Sequence, residues 1–463
     1  MANRVVSGSD RASLGDGFTA RVARDVMSLS SRSWSDQVLE RVRHAVTDWM
    51  GVTIFGARNE SARIAQQFAL FEGGNPVSRI IGTPYKVTAR QAALASGIAT
   101  HANDYDDTAF ACHPSAMVLP AAFAVAEAVG ADGSAAVDAM VQGYEAIKLI
   151  MAAVGTDHAG AFHAVGTFGV FGATAAAARL LGLDLLQLER AFGIAATQAA
   201  GLKASHGTMS KHLHAGHACG VGVLSAYLAK SGYTGATNVI EAPQGFACGY
   251  TNEVSEFDPR AKDSFVGERL GVQEIVFKRY AACGGSHSAI AGAQALKAEH
   301  FFSADDVESV DVLQAASLDQ VCNISEPTSA AEGMFSTRHT VAMALVGAGF
   351  TPDSFTDATV NDARTVTMRE RVRVTSQEEI PVDSSQVRIK LRNGRGLQAT
   401  VNALVAVPDE ELPRQRVRLE EKYRDLVEPL LGGDRTDELL NAVRRIEILP
   451  SIADLTDLTD PRT

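Results

Sequence analysis

Two histidines, three carboxylates and three hydroxyls crowd into His101-Ala-Asn-Asp104-Tyr-Asp106-Asp107-Thr108 and the His113-Pro-Ser115 that follows closely behind. Carboxylates beside imidazoles suit proton transfer, because histidine titrates near neutral pH and a carboxylate can fix its ring and tautomer. The same residue types also make a solvated loop whose Asp side chains cap turns, and composition leaves the two readings even. A second group runs from Lys203 and His206 through Gly207-Thr208-Met209-Ser210-Lys211-His212 to His214 and His217. Metal binding is a poor fit there. His212 and His214 point to different sides of a helix, only His214 and His217 share a face, and no H-E-x-x-H spacing occurs. A cationic pocket for an anionic substrate, with Lys211 presented from a Gly/Thr/Ser turn, fits better than a metal site; a basic helix start on the surface is the plain alternative. Asp157-His158 and Phe162-His163 form a third group, followed by Gly166, Gly169 and Gly172. That spacing is not G-x-G-x-x-G and no strand precedes it, so it reads as helix packing and not as a dinucleotide site. A fourth group is Lys278-Arg279-Tyr280, Cys283 and Ser286-His287. A serine hydrolase is disfavoured because Gly207-Thr-Met-Ser-Lys lacks the G-x-S-x-G elbow and its strand.

These groups need elements to hold them. From Gly17 to about Ala229 the apolar spacing is helical throughout. Ser35-Asp36 reads as the cap of a helix over Val38 to Phe55, and Thr88-Ala89-Arg90 opens another that runs to His101. Pro120 to Gly130, Ala135 to Ala153, Thr167 to Gly182 and Leu185 to Ala200 follow the same period, and their Ala and Gly content predicts close helix contacts. Near Gly271 the pattern changes. Gln273 to Phe277 reads as a strand, Ser288 to Ala298 as a helix, Val307 to Gln314 as a strand and His339 to Gly347 as a helix. After Arg371 to Thr375, alternation resumes over Gln386 to Leu391 and Leu397 to Val401 around Asn393-Gly394, a hairpin signal in which both turn residues take positive φ. Beyond Pro408, Glu410 to Leu431 and Thr436 to Ile446 are amphipathic and helical. The expected organisation is mainly α: an all-helical domain built from residues 1–269 and 408–463, with a smaller α+β domain, 270–407, inserted between them.

The chain's 463 residues carry 42 Lys+Arg against 54 Asp+Glu, a net charge of -12, which disfavours a nucleic-acid partner. Its composition, 46% hydrophobic and 21% charged with a mean hydropathy of +0.01, is that of a globular chain able to bury a core without staples. The five cysteines are scattered, which predicts free thiols in a reducing compartment. Met1 to Phe18 has no apolar signal-peptide core, and the uncharged stretch between His163 and Arg179 reads as too short for a bilayer. A cytoplasmic protein with no membrane partner is expected.

The histidine and lysine groups resemble, in order and in register, those of the MmgE/PrpD family. The resemblance rests on His-Ala-Asn-Asp-Tyr-Asp-Asp-Thr with His-Pro-Ser, Gly143-Tyr144-Glu145-Ala146, Phe162-His163-Ala-Val-Gly-Thr-Phe-Gly, Gly207-Thr-Met-Ser-Lys-His-Leu-His-Ala-Gly, and Phe277-Lys-Arg-Tyr-Ala-Ala-Cys-Gly-Gly-Ser-His. It runs from about Ala45 to the final helices. The family includes 2-methylcitrate dehydratases, cis-aconitate decarboxylases and an iminodisuccinate epimerase. The resemblance implies a homodimer, an α+β lid over a helical domain, and a site between them that uses neither metal nor organic cofactor on a small anionic carboxylate substrate. It carries over Asp104, Thr108, His113, His163, Lys211 and Lys278. From these types, His113 oriented by Asp104 is the expected proton-transfer pair, with His163 and Lys211 beside it. Thr108, Lys278, His287, Cys283 and Tyr144 are expected to hold substrate, with a core role as the plainer reading for Tyr144. The decarboxylases carry a histidine five residues after the lid lysine, where this chain has Cys283. The expected activity is therefore lyase chemistry on a di- or tricarboxylate, first a 2-methylcitrate-like dehydration, with cis-aconitate-like decarboxylation or epimerisation next. A carboxylate-binding scaffold without catalysis is the reading from another class.

Overall fold

The computed structural model describes residues 17–29, 34–155, 160–250 and 269–462. The N-terminal reading before Gly17 and the Asp157-His158 pair lie outside them. Among the described residues, ten helices build the first part: α1 (Phe18–Ser28), α2 (Asp36–Gly56), α3 (Glu60–Glu72), α4 (Ala89–His101), α5 (Pro114–Val129), α6 (Gly133–Val154), α7 (Ala164–Thr167), α8 (Gly169–Leu181), α9 (Leu185–Ala196) and α10 (Met209–Lys230). The expected caps are in place, since Ser35 accepts from Val38 N at 3.3 Å and Thr88 forms a reciprocal capping box with Gln91. A small antiparallel pair, β1 (Ser78–Arg79) with β2 (Lys86–Val87), lies between α3 and α4.

Helices α5, α6 and α8 are buried along most of their length. The Ala164–Leu181 stretch is, contrary to expectation, long and apolar enough to cross a bilayer, yet 89% of its apolar window is buried inside the fold. Its surface is used by core packing. One close crossing matters most for function. A Cβ on Gly97 of α4 would lie 3.0 Å from the Gly216 Cα of α10, and one on Gly216 would lie 2.5 Å from the Leu94 carbonyl oxygen. Backbones can meet this closely only without side chains, and the contact sets the end of α4 against the start of α10.

The remaining part contains α11 (Phe246–Tyr250), α12 (His287–His300), β3 (Val307–Ala315), α13 (Asp319–Cys322), α14 (Ala330–Met334), α15 (Thr337–Val346), α16 (Asp357–Val360), α17 (Ala363–Arg369), β4 (Val372–Gln377), β5 (Ser384–Leu391) and β6 (Gly396–Asn402). The sheet order is β4-β3-β5-β6, with β3 and β4 parallel and the other pairs antiparallel. Helix α12 packs across β5 and β6. Helices α18 (Leu412–Leu431), α19 (Gly433–Val443) and α20 (Ala453–Thr456) close the chain, and α18 lies along α2, so the end of the chain returns to its beginning.

Two expectations fail locally. Gln273 to Phe277 is no strand: Gly271–Glu274 is a 3₁₀ turn, and only Val276 pairs, with Thr108. A β-rich run so placed finds one loop backbone and no sheet edge. In the Asn393-Gly394 turn only Gly394 takes positive φ, at 88°. Gly394 N donates to Leu391 O at 2.9 Å and Leu391 N to Arg395 O at 2.8 Å, which makes a three-residue hairpin loop with glycine at the left-handed position.

Candidate active site

Where α4 meets α10, the loop that leaves α4 turns inward. Asp104 sits there with φ of 48°, and Phe110 and Ala111 further along also have positive φ. Such backbone is strained for these residues and holds because the surroundings fix it. Asp104 is buried and receives two ammonium groups from distant parts of the chain. Lys211 Nζ, on the first turn of α10 behind the Thr208 cap, lies 2.5 Å from Oδ1, and Lys278 Nζ lies 3.0 Å from Oδ2 and 2.8 Å from the Asp104 carbonyl oxygen. Burial alone would raise the Asp104 carboxyl, but the two lysines overturn it and hold it well below the usual carboxylate range. Lys278 is raised in turn, because Asp104 and Asp106 outweigh its desolvation.

Asp106, not Asp104, is the carboxylate against His113. Its Oδ2 lies 3.3 Å from His113 Nδ1 and 2.9 Å from His101 Nδ1. Sequence reasoning paired the wrong aspartate because a loop with positive φ at Asp104 turns consecutive side chains in directions that spacing does not reveal. Burial, then the Lys211 charge, lowers His101 to about 3, so its ring is neutral. A carboxylate only accepts, so the His101 proton sits on Nδ1 and Nε2 is left as a buried acceptor with no partner among the described residues. His113 stands at the start of α5, ahead of Pro114, and is partly exposed.

His163, at the start of α7, stacks 5.9 Å from the His101 ring, and its Nδ1 lies 2.9 Å from His214 Nδ1. Burial and the Lys211 charge push His163 well below its ordinary value, so it enters as a neutral ring and not as the cation its type suggests. His206 packs edge-on against it at 4.9 Å and stacks on Phe335 at 5.8 Å. Phe335 also lies under Lys211, with Nζ 5.0 Å from the ring centroid, and so brings the α+β part onto the site. Thr108 is tied to the same part, since its N donates to Val276 O at 2.8 Å and its carbonyl accepts from Val276 N at 2.9 Å.

Thus Asp104, Thr108, His113, His163, Lys211 and Lys278 come together. The Thr108 hydroxyl donates to the Cys112 carbonyl at 3.1 Å, and three further expected substrate contacts are engaged elsewhere. Tyr144 is fully buried and its hydroxyl lies 2.7 Å from Ser115 Oγ, which in turn meets Asp107. The tyrosine hydroxyl thus ends in the core beneath the loop. His287 directs Nε2 to the Tyr280 carbonyl at 3.1 Å and packs on the Tyr280 ring. Cys283 sits with Cys322 in a small apolar cluster with Leu318 and Phe335; the interaction of the two thiols pulls Cys283 down and, with burial, pushes Cys322 well up. Of the second histidine group, His217 Nε2 lies 2.9 Å from the Gln198 carbonyl, His214 turns to His163, and Lys203 stays exposed. Phe335 carried no sequence signal, while His101 and Asp106 stood in the right segment without a sign of their pairing.

Ligand atoms of His101, Asp104, Asp106 and His113 lie within 4.8 Å of one another, a spacing that a metal ion can bridge. Both Asp104 oxygens already face ammonium groups, however, so a cation would have to displace Lys211 and Lys278. The donor set fits an ionic network better than a metal centre.

The N-terminal domain model of the MmgE/PrpD family matches residues 20–256 and its C-terminal domain model matches residues 280–448. The chain belongs to the MmgE/PrpD family. Its curated relatives include the cis-aconitate decarboxylase of Homo sapiens, 27% identical over 95% of this chain and 94% of that protein. The cis-aconitate decarboxylase of Mus musculus is 27% identical over 95% of this chain and 93% of its own length. That of Aspergillus terreus is 26% identical over 96% of both. With relatives of this kind matched along nearly the whole length, the chain is a lyase.

Proposed function

We propose that the protein removes carbon dioxide from a cis-aconitate-like tricarboxylate without a metal or organic cofactor, with dehydration of a 2-methylcitrate-like acid as the second reading. The observation that carries this is the convergence of Lys211 and Lys278 on buried Asp104, with His113 and its carboxylate Asp106 alongside. Two ammonium groups held by one internal carboxylate form a preorganised receptor. An entering substrate carboxylate offers the lysines a second partner, and in a water-poor cleft that attraction is far stronger than in bulk water. Loss of carbon dioxide leaves its electron pair on substrate carbon, delocalised toward a neighbouring carboxylate. Lys211 and Lys278 meet that charge as it spreads, and His113 delivers the proton that quenches the carbanion. Neutral His163 holds a remaining carboxylate through a hydrogen bond, and Thr108 joins it by turning its hydroxyl from the Cys112 carbonyl to the substrate. The α+β part acts as a lid, since Lys278 and Phe335 both reach the site from it.

The decarboxylase names of the relatives favour the first reading. Cys283, in place of the histidine expected of decarboxylases, favours the second. Assembly as a homodimer in the cytoplasm belongs to the same proposal. The apolar stripe Ile64, Phe68 and Phe71 on α3, with Phe71 85% exposed, offers a face that a second copy could cover. The deciding assay takes chelator-treated protein and follows carbon dioxide release from cis-aconitate, alongside turnover of 2-methylcitrate, citrate and iminodisuccinate. Carbon dioxide release is expected. Water loss from 2-methylcitrate without it moves the assignment to dehydration. Activity lost on chelation and restored by zinc or iron defeats the cofactor-free reading, and tight binding without solvent isotope exchange in any acid would favour a scaffold.

A further inference from the structure

Lys422, on α18 in the returning C-terminal segment, lies outside every group that the sequence singled out. An ammonium has three protons to donate, and this one has three acceptors: Asp48 Oδ1 at 2.7 Å, the Tyr105 carbonyl at 2.8 Å and the Lys278 carbonyl at 3.1 Å. The Tyr105 ring lies beneath it, 3.7 Å from Nζ to the centroid. The two carbonyls are informative. Tyr105 directly follows Asp104, and Lys278 is the residue whose own Nζ grips Asp104. A second tie runs alongside, from Tyr105 OH to the Arg279 carbonyl at 3.3 Å.

We infer that Lys422 is a positioning residue, a tether that locks the main chain on both sides of the Asp104–Lys278 pair and joins α2, the site loop and the α+β part at one point. This deepens the reading of the site as a carboxylate lyase and rests on it. The competing account is an ordinary buried ion pair with Asp48. The two accounts separate physically, because a buried ion pair exchanged for apolar residues of similar size often costs the fold little, whereas carbonyls left without their donor release the segments they belong to.

The test uses Lys422→Met and the double variant Asp48→Leu/Lys422→Met, which leaves no unpaired charge in the core and so guards against simple misfolding. In the double variant the melting temperature is expected to stay near that of the wild type while kcat falls about 10- to 100-fold, more than KM changes, as a misplaced reactive group produces. Added to Lys278→Met, Lys422→Met should cost little further activity, since it acts through that residue. Amide hydrogen exchange in folded variants should quicken together in residues 104–112 and 276–283. Unchanged exchange in either segment overturns the inference, as does a loss that multiplies with that of Lys278→Met or full activity in the double variant. If the wild type turns over none of the acids, the lyase reading fails, and the exchange measurement still decides the role of Lys422.

Discussion

Asp107 is the loop aspartate that pairs with neither a lysine nor a histidine among the described residues, and its surroundings predict an unusual pH response. Its carboxyl is pushed up to about 8 from an ordinary 3.8, first by burial and further by the charges of Asp48 and Asp106, against the opposing hydroxyl and amide of Ser115. The folded protein therefore holds a proton that the unfolded chain gives up once the pH passes about 4. A folded value above the unfolded one means that this group's contribution is complete below about pH 4 and is lost as the pH rises through about 8. The slope is about 1.4 kcal/mol per pH unit, or ~5 kcal/mol over the window. Asp107→Asn imitates the protonated acid. Its amide can donate to Ser115 Oγ and its oxygen can still accept from Ser115 N, which lies 3.2 Å from Oδ1 in the wild type. For 463 residues one kelvin of melting temperature corresponds to roughly 1 kcal/mol. The variant should melt with the wild type near pH 4 and about 4 to 5 °C above it at pH 8, read by calorimetry at constant ionic strength. Titrations common to both proteins cancel in the difference. A constant offset across the range, or a gap that widens toward acid, would falsify the assignment of a protonated carboxyl.

His113→Ala should lower turnover about 100-fold or more with little change in melting temperature, and a stable variant with unaltered turnover removes His113 from proton transfer. Asp106→Asn keeps an acceptor for His101 and deletes the charge beside His113, so kcat should fall about 10-fold or more while the fold survives. Equal activity would show that His113 works without that carboxylate. Raising the ionic strength should weaken tricarboxylate binding more than that of a monocarboxylate analogue, and Lys278→Met should abolish most of that difference. Retention of the wild-type preference in the Met variant would pass the role to another cation.

Local chemistry was legible in the sequence. Caps at Ser35 and Thr88, the helical periods of α4 and α10, and the alternation of β3, β5 and β6 all depend on residues within a few positions of one another, and there the expected and observed elements agree. The site residues were legible as types, because histidine, aspartate and lysine in ordered groups imply proton transfer and anion binding whatever the fold. Pairings were not. Which aspartate faces His113 depends on the positive φ at Asp104, and which strand Val276 joins depends on a loop in another part of the chain. The charge state of His163 depends on burial beside Lys211, which only packing creates. Phe335 under Lys211 and Lys422 beneath the site loop come from segments with no chemical signature; the Gly97–Gly216 crossing sets Lys211 against that loop, and the return of α18 along α2 brings Lys422. Residue type sets what a side chain can do, while the direction in which it points and the dielectric around it exist only once distant segments meet.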